Sequence, residues 1–212
     1  GNPITSIGAT AYSNNINLYA KWNAKKYTIT TGKDANTNSV STSPTTGTFN
    51  SPLTINWAAK STTAQYEYSL YRVRVFSGNN ASGTLLATYT TGTSATFTMS
   101  GTYYSGIYIY VEHTATVRTY NITIQSNNAD RGTVNRTTIE NVEYGEIINL
   151  AINGDNGTLK VNNITVTATA KIGYHLNRWS GATNNSTVTG NMTIIAEFEP
   201  DTHTPYVVRH YQ

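Results

Sequence analysis

Tyr71-Arg72-Val73-Arg74-Val75 alternates large apolar side chains with arginines. Successive side chains of an extended strand point to opposite faces, so this period of two predicts an apolar face of Tyr71, Val73 and Val75 and a charged face of Arg72 and Arg74. On a helix the two sets would mix around the surface. The same period recurs on both sides. Leu53-Thr54-Ile55-Asn56-Trp57 alternates cleanly, and Ile107, Ile109 and Val111 alternate with Tyr108 and Tyr110. Leu85 to Thr90 and Ala95 to Met99 read as further short strands, as does Tyr27-Thr28-Ile29-Thr30, after which residues 31–39 read as a loop. Breaks rich in Gly, Asn and Ser fall at Ser77-Gly78-Asn79-Asn80, Thr91-Gly92 and Ser100-Gly101. About seven short strands with turns every ~8–12 residues predict an immunoglobulin-like β-sandwich over residues 27–118.

A second set of strands follows over 119–200. Tyr120 to Ile124, Gly132 to Val134, Leu159 to Val161, Ile164 to Ala168 and Met192 to Phe198 carry strand patterns, and the stretch from Gly145 to Ile152 is apolar. Asn153-Gly154 and Asn156-Gly157 are hairpin signals. Outside these two units, Ile16 to Trp22 within residues 1–26 and Tyr206 to Tyr211 within residues 201–212 read as isolated strands without a core of their own. The expectation is therefore a fragment of a longer protein in which residues 1–26 end one module and 201–212 begin another. Gly1 reads as a tag remnant.

Composition agrees with an all-β chain. Only 12% of the 212 residues are charged, against roughly 25% in an average soluble domain. Thr and Tyr, which suit strands, and Asn and Gly, which suit turns, take their place. The formal net charge of +3 is scattered, with no basic stripe to hold nucleic acid. There is no apolar run of membrane-spanning length. The absence of cysteine excludes disulfides and thiolate chemistry, and it suits a protein secreted by a Gram-positive bacterium better than an animal extracellular module.

Residues 120–199 resemble the divergent internalin-type B-repeat of bacterial surface proteins. The likeness is carried by Arg131-Gly132-Thr133-Val134, Val142-Glu143-Tyr144-Gly145-Glu146, Ile164 to Ala170, Gly173 to Ser180 and Gly190 to Phe198. His175-Leu176 departs from the family, which often has a charged residue and a Phe there. Ile16 to Trp22 resembles the closing strand of an ordinary B-repeat. The unit between looks like a fibronectin type III-like sandwich, with Trp57 on its second strand, Tyr71 to Val75 on its third and Tyr108 to Val111 on its sixth. The resemblance implies a β-grasp-like fold for the B-repeat, with room for a minor helix, and an extracellular stalk or adhesive role for the array.

Catalysis needs titratable groups gathered in a cleft, and the supply is thin. Asp34, Asp130, Asp155 and Asp201 fall in turns or linkers; Glu140, Glu143 and Glu146 read as a surface strand and turn. His113, His175, His203 and His210 have no metal-ligand spacing, and His113 is expected to face solvent. There is no Gly-x-Ser-x-Gly elbow and no Asp-rich calcium loop. The expectation is no enzyme, no cofactor and no metal. Trp22, Trp57 and Trp179 are expected in cores. Of the sixteen tyrosines, Tyr103, Tyr104, Tyr108 and Tyr110 are the candidates for stacking on a sugar. The leading expectation is a monomeric stalk module at a bacterial surface. The alternative is a module whose exposed tyrosines bind a host glycan or extracellular-matrix glycoprotein. An intramolecular isopeptide bond would need a buried lysine beside Asn and an acid.

Overall fold

The computed structural model describes residues 23–101, 103 and 106–202. The strand-like stretches at Ile16 to Trp22 and Tyr206 to Tyr211 lie outside them, as does Tyr104. Every regular element among the described residues is a strand. In the first unit these are β1 (Lys26–Lys33), β2 (Thr37–Ser43), β3 (Thr46–Thr48), β4 (Pro52–Ala59), β5 (Tyr66–Ser77), β6 (Leu85–Tyr89), β7 (Ser94–Thr98) and β8 (Ile107–Val117). In the second they are β9 (Thr119–Ser126), β10 (Gly132–Val134), β11 (Thr138–Glu143), β12 (Ile147–Asn153), β13 (Asn156–Val161), β14 (Ile164–Ala170), β15 (Tyr174–Ser180), β16 (Ser186–Thr187) and β17 (Met192–Pro200). The all-β reading holds. The stretch expected to be a loop, 31–39, contributes the end of β1 and the start of β2, and β2 pairs with β4 from Thr37↔Ala59 to Ser43↔Thr54 with a register shift between Thr37 and Ser39.

The first unit has a five-stranded sheet in the order β3-β1-β8-β5-β6 and a three-stranded sheet β2-β4-β7. Between them lie Leu53, Ile55 and Trp57 of β4, Val73 and Val75 of β5, Phe97 of β7, and Ile107, Ile109 and Val111 of β8. These are the apolar faces that the alternation assigned, with one exception. Tyr71 sits at a bulge between Leu70 and Arg72 and is 54% exposed, because the extra residue turns its ring outward. Counted from β2, Trp57 falls on the third strand, Val73 on the fourth and Tyr108 on the seventh, each one later than expected because the short β3 intervenes. In an immunoglobulin-type sandwich both sheets are antiparallel and a seventh strand completes the second. Here β1 holds the place beside β8 and runs parallel to it, from Ile29↔Ile107 to Lys33↔Val111.

The second unit has a five-stranded sheet β10-β14-β13-β12-β16 and a four-stranded sheet β11-β9-β17-β15. Its core holds Tyr120, Ile122 and Ile124 of β9, Leu159 and Val161 of β13, Val166 of β14, Leu176 and Trp179 of β15, and Ile194, Ala196 and Phe198 of β17. A second sheet, rather than a helix, covers the first among the described residues. Its first and last strands also pair in parallel, from Met192↔Ile122 to Ala196↔Ser126. Two side-chain pairs break the period of two. Ile139 and Val142, and Leu176 and Trp179, lie three residues apart yet face the same core, because bulges intervene at Glu140-Asn141 and at Asn177. Asn141 takes φ 57° to form the first. Just past β15, Gly181 has φ 87° and a Cβ there would lie 2.0 Å from the Thr193 carbonyl oxygen, so the turn after Trp179-Ser180 accepts glycine alone.

The two clusters of buried side chains share no residue. Trp57 is 4% and Trp179 8% exposed, each in its own cluster, and each indole donates to a backbone carbonyl, of Gly92 at 3.0 Å and Ala151 at 3.3 Å. Truncating a buried Trp to Ala costs about 3–5 kcal/mol, comparable to the whole stability of a small domain. Trp57→Ala is expected to unfold residues 27–118 and leave 119–200 folded, and Trp179→Ala the reverse. Proton NMR of the two variants checks this; simultaneous loss of both units' signals in either one would mean a single cooperative core.

Candidate functional site

The tyrosines singled out for ligand stacking have different fates. Tyr103 is 8% exposed and packs edge-on against Tyr27 at 5.5 Å between ring centroids, so it is core. Tyr108 and Tyr110 project from the outer face of β8, half-buried, with centroids 6.2 Å apart and planes 24° apart. Their neighbours across the strands explain the partial burial. On β5, Phe76 opposes Tyr108 and Arg74 opposes Tyr110. The Arg74 guanidinium lies over Phe76 and Tyr110, at 5.3 Å and 5.8 Å from the ring centroids. On the other side, a Cβ on Gly32 of β1 would lie 2.0 Å from the Tyr108 hydroxyl oxygen and 3.0 Å from the Tyr110 ring, so both rings drape across the glycine. Glu112 accepts from Arg72 Nε at 2.7 Å and pairs with Arg74 at 3.0 Å. The hydrogen bond to Glu112 holds the Arg72 pKa above its ordinary value. The outer face is a cross-strand ladder whose charges and rings already engage one another.

The second cluster corrects an expectation. His113 does not face solvent: it is 5% exposed. Ile107, Ile109, Val111 and His113 are successive same-face residues of β8, so the alternation continues one step further than its apolar residues show. Asp34, in the turn between β1 and β2, is also more than a solvated turn acid. It accepts from the Thr37 hydroxyl at 2.6 Å and from the His113 amide at 3.0 Å. Thr37 Oγ1 lies 2.7 Å from His113 Nδ1. A carboxylate only accepts, so the single Thr37 proton goes to Asp34, and His113 Nδ1–H must donate to Thr37. A histidine, a hydroxyl and a carboxylate thus meet, but in the wrong order for nucleophilic catalysis. The carboxylate holds the hydroxyl rather than the imidazole, and Thr37 is 2% exposed. The cluster ties the β1–β2 turn to β8.

The other expected positions stay apart. His175 Nδ1 lies 2.9 Å from Asp201 at the end of the second unit. Glu140 and Glu143 are exposed on β11 and Glu146 follows in the turn. His203 and His210 lie outside the described residues. Among the described residues, no group of three His, Asp or Glu side chains is placed to hold a metal. Every described lysine is exposed, so none of them occupies the buried position an isopeptide bond needs. A groove of about 530 Å³ beside β9 and β10 is lined by Thr123, Gln125, Ser126, Thr133, Thr137, Thr138 and apolar neighbours, with no titratable side chain.

A further polar site joins the two units. Arg118 alone separates β8 from β9. Its amide donates to Gln65 O at 2.9 Å and its guanidinium to Thr63 O at 2.9 Å, both in the loop before β5. Its carbonyl accepts from Tyr144 N at 2.9 Å. Its guanidinium also lies 5.3 Å from the ring centroid of Tyr120, whose hydroxyl donates to Ala64 O. Tyr120 belongs to the second core and Thr63 to Gln65 to the first unit, so this one residue and its neighbour fasten the units together. The only signal in the sequence was Arg118-Thr119-Tyr120 interrupting two strand patterns.

Residues 120–202 match the family described as the divergent InlB B-repeat domain. The match spans the second unit from Tyr120 through β17, less than half of the chain, and agrees with the resemblance drawn from its motifs. Neither the curated proteins nor the solved structures yield a match.

Burial lowers the His113 pKa below its ordinary value of 6.5, and the nearby Asp34 charge only partly opposes this. The unfolded chain therefore binds the proton more readily than the folded one. The stability this group contributes is fully present above about pH 6.5 and is lost as pH falls from there toward the lower folded pKa. The melting temperature of the first unit is expected to fall between pH 7.5 and pH 5, and His113→Asn to remove this part of the slope. An unchanged pH profile in the variant would place the dependence elsewhere.

Proposed function

We propose that this chain is a non-catalytic stalk segment of a secreted bacterial surface protein, holding modules in a fixed relation along the chain. The observation that carries the reading is the junction at Arg118. A one-residue connection bonded to both units leaves little room for the relative motion that separate domains ordinarily show. The B-repeat likeness of the second unit supports an extracellular setting at a bacterial surface. The paired ladder of Arg72, Arg74, Phe76, Tyr108, Tyr110 and Glu112 supports a structural use of the aromatic residues.

A second reading keeps one observation in its favour. Tyr108 and Tyr110 present two nearly parallel, half-exposed rings, and such rings stack on sugars. A host glycan or matrix glycoprotein would then be the partner. The two readings part in a titration with oligosaccharides. A melting shift lost in Tyr110→Ala would favour the glycan reading.

The junction supplies the direct test of the stalk. Loss of one hydrogen bond costs about 0.5–1.5 kcal/mol, so Arg118→Ala combined with Tyr120→Phe is expected to uncouple the units while each stays folded. Residual dipolar couplings of the parent chain are expected to fit one alignment tensor for both units, and those of the double variant to need two. Two tensors in the parent chain would remove the basis for the stalk.

A further inference from the structure

Each unit starts and finishes on strands that pair with each other, and both pairs run parallel. The chain enters β9 at Thr119 and leaves β17 at Pro200, beyond opposite ends of the paired block Ile122↔Met192 to Ser126↔Ala196. It enters β1 at Lys26 and leaves β8 at Val117, again beyond opposite ends of the block Ile29↔Ile107 to Lys33↔Val111. Tension along the chain therefore pulls the partners past each other along their length. The bonds of a parallel ladder are evenly spaced along the strands. Sliding loads the whole block together, whereas a force at one end opens it bond by bond. The cores oppose sliding too. Ile122 and Ile124 face Ile194, Ala196 and Phe198 in a core from which all five are excluded from solvent. A slip of one residue, about 3.3 Å, turns each of them to the opposite face.

Side chains lengthen both blocks. Asn127, just past β9, donates through Nδ2 to Phe198 O at 3.2 Å and accepts through Oδ1 from Phe198 N at 3.0 Å. It thus imitates a further strand residue. At the other end Asn191 Oδ1 accepts from Asn121 N at 2.9 Å. In the first unit Asp34 N donates to Val111 O at 3.1 Å and the Asp34 carboxylate accepts the His113 amide. At its opposite end a Cβ on Gly106, at φ 107°, would lie 2.5 Å from Thr28 O, so β8 can approach β1 this closely only through glycine.

We propose that the two parallel pairs are force-bearing clamps in series, carrying tension from β1 to β8, through Arg118, and from β9 to β17, so that each unit yields only when its whole block shears. This deepens the stalk reading and rests on it for its use at a cell surface. The mechanical property itself is measured on the purified chain, and a flexible junction would leave it intact.

Single-molecule pulling of the full chain tests it. The chain has no cysteine, so introduced thiols are unique handles. In one geometry the chain is pulled through its termini. In the other it is pulled through Thr119→Cys and Thr193→Cys, exposed positions near the same end of β9 and β17, which peels that pair open. The second unit is expected to yield at several-fold higher force through the termini. Asn127→Ala is expected to lower that force and leave the peeling force nearly unchanged. Equal forces in the two geometries would overturn the proposal, and so would an Asn127→Ala variant weakened alike in both. Should Asn127→Ala fail to fold, the comparison of geometries decides alone.

Discussion

The parallel pairing of first and last strands is the constraint from which the rest of the molecule follows. Parallel neighbours cannot be joined by a hairpin; they need a long crossover. In each unit the crossover is everything in between, β2 to β7 in the first and β10 to β16 in the second. Some of the intervening strands extend the sheet of the pair; the others, β2, β4 and β7 in the first unit and β10, β12, β13, β14 and β16 in the second, form a second sheet over it, and the cores lie between the two. The same pairing sends the chain in at one end of a unit and out at the other. That is why β8 can run into β9 through Arg118 alone, and why no later segment is left to take the place beside β8 that β1 occupies.

The low charge and high Asn content acquire a physical meaning in this light. Asparagine would be expected to shape turns, and Asn50, Asn162 and Asn185 do so at positive φ. Others work as pieces of backbone. Asn135 Oδ1 accepts Thr167 N, Asn156 Oδ1 accepts Ala170 N and Asn184 Oδ1 accepts Leu150 N, each at 2.8–2.9 Å, where no strand supplies a partner. Backbone groups left unpaired at sheet ends are costly when shielded from water. A short neutral amide satisfies them without the desolvation penalty of a charge.

Much of this was legible in the sequence. Alternation placed Leu53, Ile55, Trp57, Val73, Val75, Ile107, Ile109 and Val111 on inner faces, because each lies in an unbroken run of period two. It failed where a bulge resets the phase, as at Tyr71, and it could not pair Leu176 with Trp179 across Asn177. His113 was misplaced because its polarity hid that it continues the Ile107-Ile109-Val111 series. β2 was missed because Thr and Ser without large apolar residues resemble a loop until a neighbouring strand supplies the ladder. The position of the junction was legible as the break between the two units, but its bonding was not. Its partners, Thr63 to Gln65 and Tyr144, are far from Arg118 in sequence and are engaged through backbone atoms, which carry no residue signature. The parallel direction of the closing strands likewise depends on non-local pairing, to which local patterns are blind.

Native-state hydrogen exchange of the full chain reads the central constraint without any substitution. If the closing pairs hold each unit together, the paired amides of β1, β8, β9 and β17 exchange only through global unfolding of their own unit, with the slowest rates in the molecule. Exchange of β1 or β17 by local fraying, while the interior strands β4, β5, β13 and β14 stay protected, would contradict the account.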